Sequence, residues 1–140
     1  MEPLNIRKHM DQDLGEIRSG MMRLGAMAEA SIRGGVAALV KRDRSEARRV
    51  IESDDEADQL AGWLDMSCLE FMARYQPLGA DLRAISCAIH MAVDLERIAD
   101  LGVSVAKRAL KLIDQDPIKP LMDIPLMGER VCAMLDLAVK

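Results

Sequence analysis

The sequence is poor in aromatic residues, since Trp63, Phe71 and Tyr75 are the only three in a chain of 140 residues. A core built from aromatic clusters is therefore excluded, and the interior must consist of Leu, Ile, Val, Ala and the eleven Met. Five prolines and nine glycines are too few for a loop-rich all-β fold. With 30% charged residues and few β-branched runs, the composition predicts an all-helical protein of one ordinary domain's size.

The sequence also lacks paired cysteines, a basic charge excess and long apolar runs. Cys68, Cys87 and Cys132 are widely spaced and form no CxxC, so neither a zinc site nor a disulfide framework is indicated, and reduced thiols fit a cytoplasmic protein. A net charge of −4 argues against nucleic acid as a partner. Without a run long enough for a membrane span or a signal peptide, we expect a soluble, cytoplasmic protein that meets a membrane only through partners.

The spacing of apolar residues predicts four helices. They cover about residues 11–41, 44–75 and 82–113, and a fourth opens near 123–125 and is still periodic at residue 140. The expected buried stripe of the first helix includes Ile17, Leu24, Ser31 and Ala38, that of the second includes Ala47, Val50, Leu64 and Cys68, and that of the third runs from Met91 to Leu112. Asp43 and Glu46 have capping-box spacing at the start of the second helix. Glycines in the first helix favour close helix–helix approach. Three long helices with short connections predict an antiparallel, up-down-up three-helix bundle.

The domain organisation follows from these helices. Residues 1–114 are expected to form the bundle. Residues 115–122 are expected to form a linker, because most of the turn-forming segment DQDPIKP (114–120) lies within them. Residues 24–36 recur weakly at 127–139, an offset of 103 residues, so 123–140 are expected to be the first part of a truncated second repeat.

Carboxylates are paired at helical spacing in two places, with Asp54 and Asp58 on the second helix and Glu96 and Asp100 on the third. Like charges four residues apart destabilise a helix slightly. In an antiparallel hairpin that turns near residue 78, position 58 lies opposite positions 96–100, so all four carboxylates are expected to converge. Such a cluster is either a solvated acidic surface or an all-oxygen site for a hard cation such as Mg²⁺, Ca²⁺, Mn²⁺ or Fe³⁺.

Motifs for catalysis are absent. The sequence has no phosphate loop, GxSxG, HExxH or Glu-x-x-His pair, and its only histidines are His9 and His90. We therefore expect no enzyme. A basic run from Lys41 to Arg49 is either a solvated helix end or a docking surface for an acidic partner.

Four segments carry a family resemblance: LGEIRSGMMRLGAMAEASI (14–32), RRVIESDDEADQL (48–60), RYQPLGADLRAI (74–85) and DLERIADLGVSVAKRAL (94–110). In this order they resemble the PhoU family of phosphate-transport and phosphate-signalling regulators. Members carry a helix that reads roughly LERIGDxAxxIAK. Residues 95–100 and 105–107 match it, with Ala99 in place of the usual Gly.

The resemblance implies a three-helix-bundle repeat that usually occurs twice, and a cytoplasmic, often dimeric adaptor without enzymatic activity. Such adaptors link a phosphate ABC transporter to a sensor histidine kinase and repress the phosphate-starvation response when phosphate is plentiful. Some members bind metal through ExxxD pairs, which Glu96 and Asp100 match. Asp54 matches an acidic position of the family, whereas Asp58 stands where Asn is usual. The implied metal is Mg, Mn, Fe or Zn. A metal-binding or metal-storing bundle is the alternative function.

Overall fold

The computed structural model describes residues 3–140, with side chains from residue 5 onward, and within this range it contains helices and no strand. Five helices follow one another: α1 (Pro3–Lys41), α2 (Arg44–Glu52), α3 (Asp54–Tyr75), α4 (Gly79–Leu112) and α5 (Asp123–Val139). The predicted all-α bundle is confirmed.

Two predicted helix bounds are wrong. The first helix begins at Pro3 rather than near residue 11, and Arg7 contacts Asp11 and Asp81 at 2.8 Å each, which ties this early part to α4. The predicted helix over 44–75 is divided at Ser53, whose hydroxyl donates to the Val50 carbonyl at 2.7 Å. Such a local side-chain bond competes with regular helix geometry.

α1 is the central helix, since it packs against each of the other four, whereas α5 packs against α1 alone within the described residues. The main core lies between α1, α3 and α4, and its members with no exposed surface are Leu24, Ala28, Leu64, Cys68 and Ile85. A smaller cluster near the other end joins α1, α2 and α4. The stripes expected on the first two helices largely coincide with these clusters.

The buried face of α4 is rotated from the expected one. The predicted stripe ran from Met91 to Leu112, but Leu112 is 45% exposed, and the face is centred on Ala92, Ala99 and Ala106. Small side chains are buried there because α4 lies unusually close to α1. The spacing of large apolar residues does not mark such a face.

The close approach of α1 and α4 is made by glycines. A Cβ atom at Gly102 would lie 2.5 Å from the backbone carbon of Ser31, and one at Gly35 would lie 2.6 Å from the Gly102 carbonyl oxygen. The buried Ser31 hydroxyl donates to the Ala99 carbonyl at 2.7 Å. This bond fixes α4 beside α1 directly before Asp100.

The basic run after α1 ties down the connection between α4 and α5. Arg42, in the left-handed region at φ 56°, donates to the carbonyls of Ile113 and Gln115, the second at 2.6 Å. Arg44 pairs with Asp114 and holds the pKa of that carboxyl below its ordinary value. Part of this run therefore has a structural role.

Candidate functional site

Three of the four predicted site residues converge where α3 begins. Asp54 and Asp58 lie one turn apart on α3, and Asp100 lies on the antiparallel α4. One carboxylate oxygen from each lies within 4.8 Å of the other two. The register counted from residue 78 thus correctly placed Asp58 beside Asp100, and Asp54 belongs to the same group.

Glu96 is not brought into this group. It is half-buried, one helical turn before Asp100 and nearer the α3–α4 connection. The pair on α3 therefore contributes both of its carboxylates to the group, whereas the pair on α4 contributes only Asp100. The expectation that four carboxylates converge is wrong for Glu96.

The electrostatics of the group favour a proton or a cation. Burial raises the pKa of Asp54, and the charges of Asp58 and Asp100 raise it further. Lys107, two turns after Asp100 on α4, acts in the opposite direction. Asp54 is half-buried, whereas Asp58 and Asp100 are exposed, so the group opens to solvent on one side.

Asp54 borders a cleft that is also lined by Ser31, a residue that was not predicted to lie at the site. Ser31, Ala99 and Val103 line a cleft of about 100 Å³ together with Asp54. The bond from Ser31 to Ala99 holds the α4 side of this cleft. The available signal was a serine within the apolar stripe of the first helix.

Comparison with known proteins identifies the family. The PhoU domain family model matches residues 21–109 of the chain. The chain belongs to the PhoU family. The resemblance read from the four sequence segments is thereby confirmed.

Individual PhoU proteins match nearly the whole chain. The phosphate-specific transport system accessory protein PhoU homolog 2 of Thermotoga maritima is 30% identical over 94% of this chain and 56% of its own length. The PhoU accessory protein of Escherichia coli K12 is 29% identical over 96% of this chain and 58% of its own. The crystal structure of PhoU from Pseudomonas aeruginosa, 31% identical, superposes with a TM-score of 0.86 over 90% of this chain and 61% of that one. The chain spans about half the length of the curated relatives.

The donor chemistry of the PhoU carboxylate group suits some metals better than others. Three carboxylate oxygens suit Mg²⁺, Mn²⁺ and iron, whereas Zn²⁺ more often takes nitrogen and sulfur ligands. The described group contains neither histidine nor cysteine. His90 lies on the surface, with its Nδ1 2.7 Å from the Ser86 carbonyl oxygen. Zinc therefore fits this group least well.

No helix in residues 3–140 combines the length and apolar character needed to cross a membrane.

Proposed function

We propose that the chain is a regulatory adaptor of phosphate homeostasis. It links a phosphate ABC transporter, through the ATPase component, to a phosphate-sensing histidine kinase. It acts in the cytoplasm as a homodimer and associates with the membrane only through these partners. When phosphate is plentiful, its binding biases both partners toward their phosphate-replete states and represses the starvation response. This role requires binding surfaces and no catalysis.

Family membership is the observation that supports this proposal. The PhoU match spans residues 21–109, and the relatives are named as accessory proteins of phosphate-specific transport. The TM-score of 0.86 extends the similarity to the arrangement of the helices. Because the chain spans about half of these relatives, their partners are carried over here as a proposal.

The proposed domain division keeps residues 1–114 as the bundle, 115–122 as a linker and 123–140 as the first part of a second repeat. Two observations favour this division. α5 starts at Asp123, after the ten residues that follow Leu112 at the end of α4, and among the helices that the structure describes it packs on α1 alone. The similarity of residues 24–36 to 127–139 agrees with this division.

Capture from membrane extract tests the adaptor proposal. The tagged chain is expected to retain the transporter ATPase and the kinase, and to retain different amounts at high and low phosphate. Leu64→Asp is the matched control, because Leu64 has no exposed surface and a buried carboxylate there is expected to abolish the fold. Recovery of neither partner at either phosphate concentration, or equal recovery by Leu64→Asp, would contradict the proposal.

A metal-binding or metal-storing bundle is the second candidate function. It is favoured by the convergence of Asp54, Asp58 and Asp100 within 4.8 Å. The pKa of Asp54 is raised by burial and by the two neighbouring carboxylates, and a bound cation would offset both effects. These three residues would supply the ligands. Glu96 would join them only after a change of its position or through a bridging water.

Elemental analysis of the purified chain tests this candidate, after supply of Mg²⁺, Mn²⁺, iron or Zn²⁺ and dialysis. A stoichiometric metal is expected, lost in Asp100→Asn and in Asp54→Asn/Asp58→Asn. Asp55→Asn is the matched control, because Asp55 is exposed on the same turn of α3 and lies outside the group. Metal retained in every variant, or bound by none of the proteins, would rule out this site.

Glu96→Gln separates the family motif from the observed geometry. Retention of metal in this variant would show that the three aspartates suffice. Chelation followed by the capture experiment then distinguishes the two functions. Loss of the partners on removal of the metal would favour an adaptor that needs its metal. A metal whose removal leaves partner binding unchanged would favour a storage protein.

A further inference from the structure

A groove between α1 and α3 contains Trp63, the single tryptophan of the chain. The indole is 44% exposed, although large aromatic side chains are usually well buried. It borders two clefts. One, of about 200 Å³, is also lined by Asp13, Glu16, Ser67 and Glu70, and Glu16 borders the other cleft as well.

The indole packs with one edge against a glycine of the facing helix. A Cβ atom at Gly20 would lie 2.7 Å from the Cζ3 atom of Trp63, so only glycine allows the ring to rest against the α1 backbone. One edge of the ring is therefore packed, and the remainder faces the clefts. A ring packed along one edge has less side-chain freedom to lose on binding a ligand than an unpacked one.

Ion pairs close both ends of the groove. Arg23 contacts Glu56 at 2.7 Å at one end, and Arg74 contacts Asp13 at 3.0 Å at the other. The hydroxyl of Tyr75 also donates to Asp13 at 2.7 Å. The arginines that line the groove are thus already paired.

Two carboxylates remain between these ends. Glu16 on α1 and Glu70 on α3 are exposed, both line the cleft beside Trp63, and neither forms an ion pair with any side chain that the structure describes. An exposed indole with unpaired carboxylates on both helices attracts a cation, because the ring face and the carboxylates carry negative potential.

We propose that this groove binds a basic segment of a partner protein, with an arginine side chain against the Trp63 indole and its charge facing Glu16 and Glu70. Arginine is favoured over lysine because its planar guanidinium stacks on an aromatic ring while donating to carboxylates. The groove shares no residue with the aspartate group, and the inference does not depend on the adaptor function.

Trp63 itself reports binding through its fluorescence. The probe is an acetylated peptide of four arginines alternating with glycine, and the matched control peptide carries citrulline, which has the same shape without the charge. A saturable change of tryptophan emission is expected with the arginine peptide, a weaker affinity with the lysine equivalent, and no change with citrulline. An unsaturable or absent response to the arginine peptide would overturn the proposal.

Variants separate local contacts from net charge. Glu16→Gln/Glu70→Gln is expected to weaken binding about fivefold, from two exposed ion pairs. Glu129→Gln/Asp136→Asn removes the same charge from exposed positions of α5 and is expected to leave the affinity within about twofold. Equal weakening by both double variants would show a general attraction to an acidic protein and would overturn the proposal.

The contribution of the indole is measured with a labelled peptide by anisotropy. Trp63→Leu is expected to weaken binding about two- to fivefold, the range for an exposed cation–π contact, and Trp63→Phe less. Circular dichroism confirms that each variant is folded. Unchanged affinity in a folded Trp63→Leu protein would refute the stacking role.

Discussion

Gly102→Ala is expected to destabilise the protein although alanine is the better helix former. Gly102 lies inside α4, where it faces Ser31 and Ile32 of α1. An added methyl group would lie 2.3 Å from the Ser31 Oγ atom, 2.5 Å from its backbone carbon and 2.7 Å from the Ile32 nitrogen. Two of these three atoms belong to the backbone, so no rotation of a side chain relieves the contact.

The magnitude follows from opposing effects. Alanine in a helix interior gains about 1 kcal/mol over glycine. Forcing a methyl group into a packed interface costs about 1–3 kcal/mol, for which about 2 kcal/mol is the central value. Separating the helices also weakens the hydrogen bond from Ser31 to Ala99, worth about 1 kcal/mol. We expect the free energy of unfolding to fall by about 2 kcal/mol.

Urea denaturation followed by circular dichroism measures this change. With a slope of about 2 kcal/mol per molar urea, the midpoint of Gly102→Ala is expected about 1 M lower. Gly62→Ala is the matched control, because Gly62 is exposed inside α3 and a Cβ atom there would have no atom within 4 Å. It is expected to stabilise by about 0.5–1 kcal/mol. Equal midpoint shifts for the two variants would refute the close-approach argument.

Three other substitutions test the core, the aspartate group and the α4–α5 connection. Leu64→Ala, at a side chain with no exposed surface, is expected to lower the free energy of unfolding by about 3 kcal/mol in the same assay, and a loss below 1 kcal/mol would contradict its place in the core. Because the folded-state pKa of Asp54 is raised, its ionisation opposes folding as the pH rises. With chelator present, Asp54→Asn is therefore expected to be more stable than the native chain at pH 7, and the gain should shrink as the pH falls toward 4; an equal gain at both pH values would contradict this. Arg42→Ala removes the bonds from Arg42 to the carbonyls of Ile113 and Gln115 and is expected to speed amide hydrogen exchange across residues 113–122. The side chain of Arg48 makes no described ion pair, so Arg48→Ala is expected to leave this exchange unchanged. Equal exchange in both variants would show that Arg42 does not restrain the α4–α5 connection.

Local chemistry made most of the fold predictable. Asp43 caps α2 as its spacing with Glu46 indicated, accepting the Glu46 N–H at 3.1 Å. The division at Ser53 was not predictable in this way, because no glycine or proline marks it. The face of α4 was misplaced since alanines such as Ala99 are buried by the nearness of α1, a tertiary effect.

The candidate site was predictable as far as helix register determines it. Counting from the α3–α4 connection placed Asp58 beside Asp100, because antiparallel helices pair residues at equal distances from their turn. The same count could not separate Glu96 from Asp100, since one helical turn is within its error. The groove at Trp63 was not predicted, because it depends on Gly20 of α1 lying directly beneath the ring.

The helices differ in how many others each of them packs against. α1 touches α2, α3, α4 and α5, so its displacement would disturb four interfaces at once. Within residues 3–140, α5 touches α1 alone, along a line that includes Gly25 against Val139 and Val36 against Gly128. Displacement of α5 would consequently disturb one helix interface, and the arginine bonds to residues 113–115 hold the connection through which α5 is attached to α4.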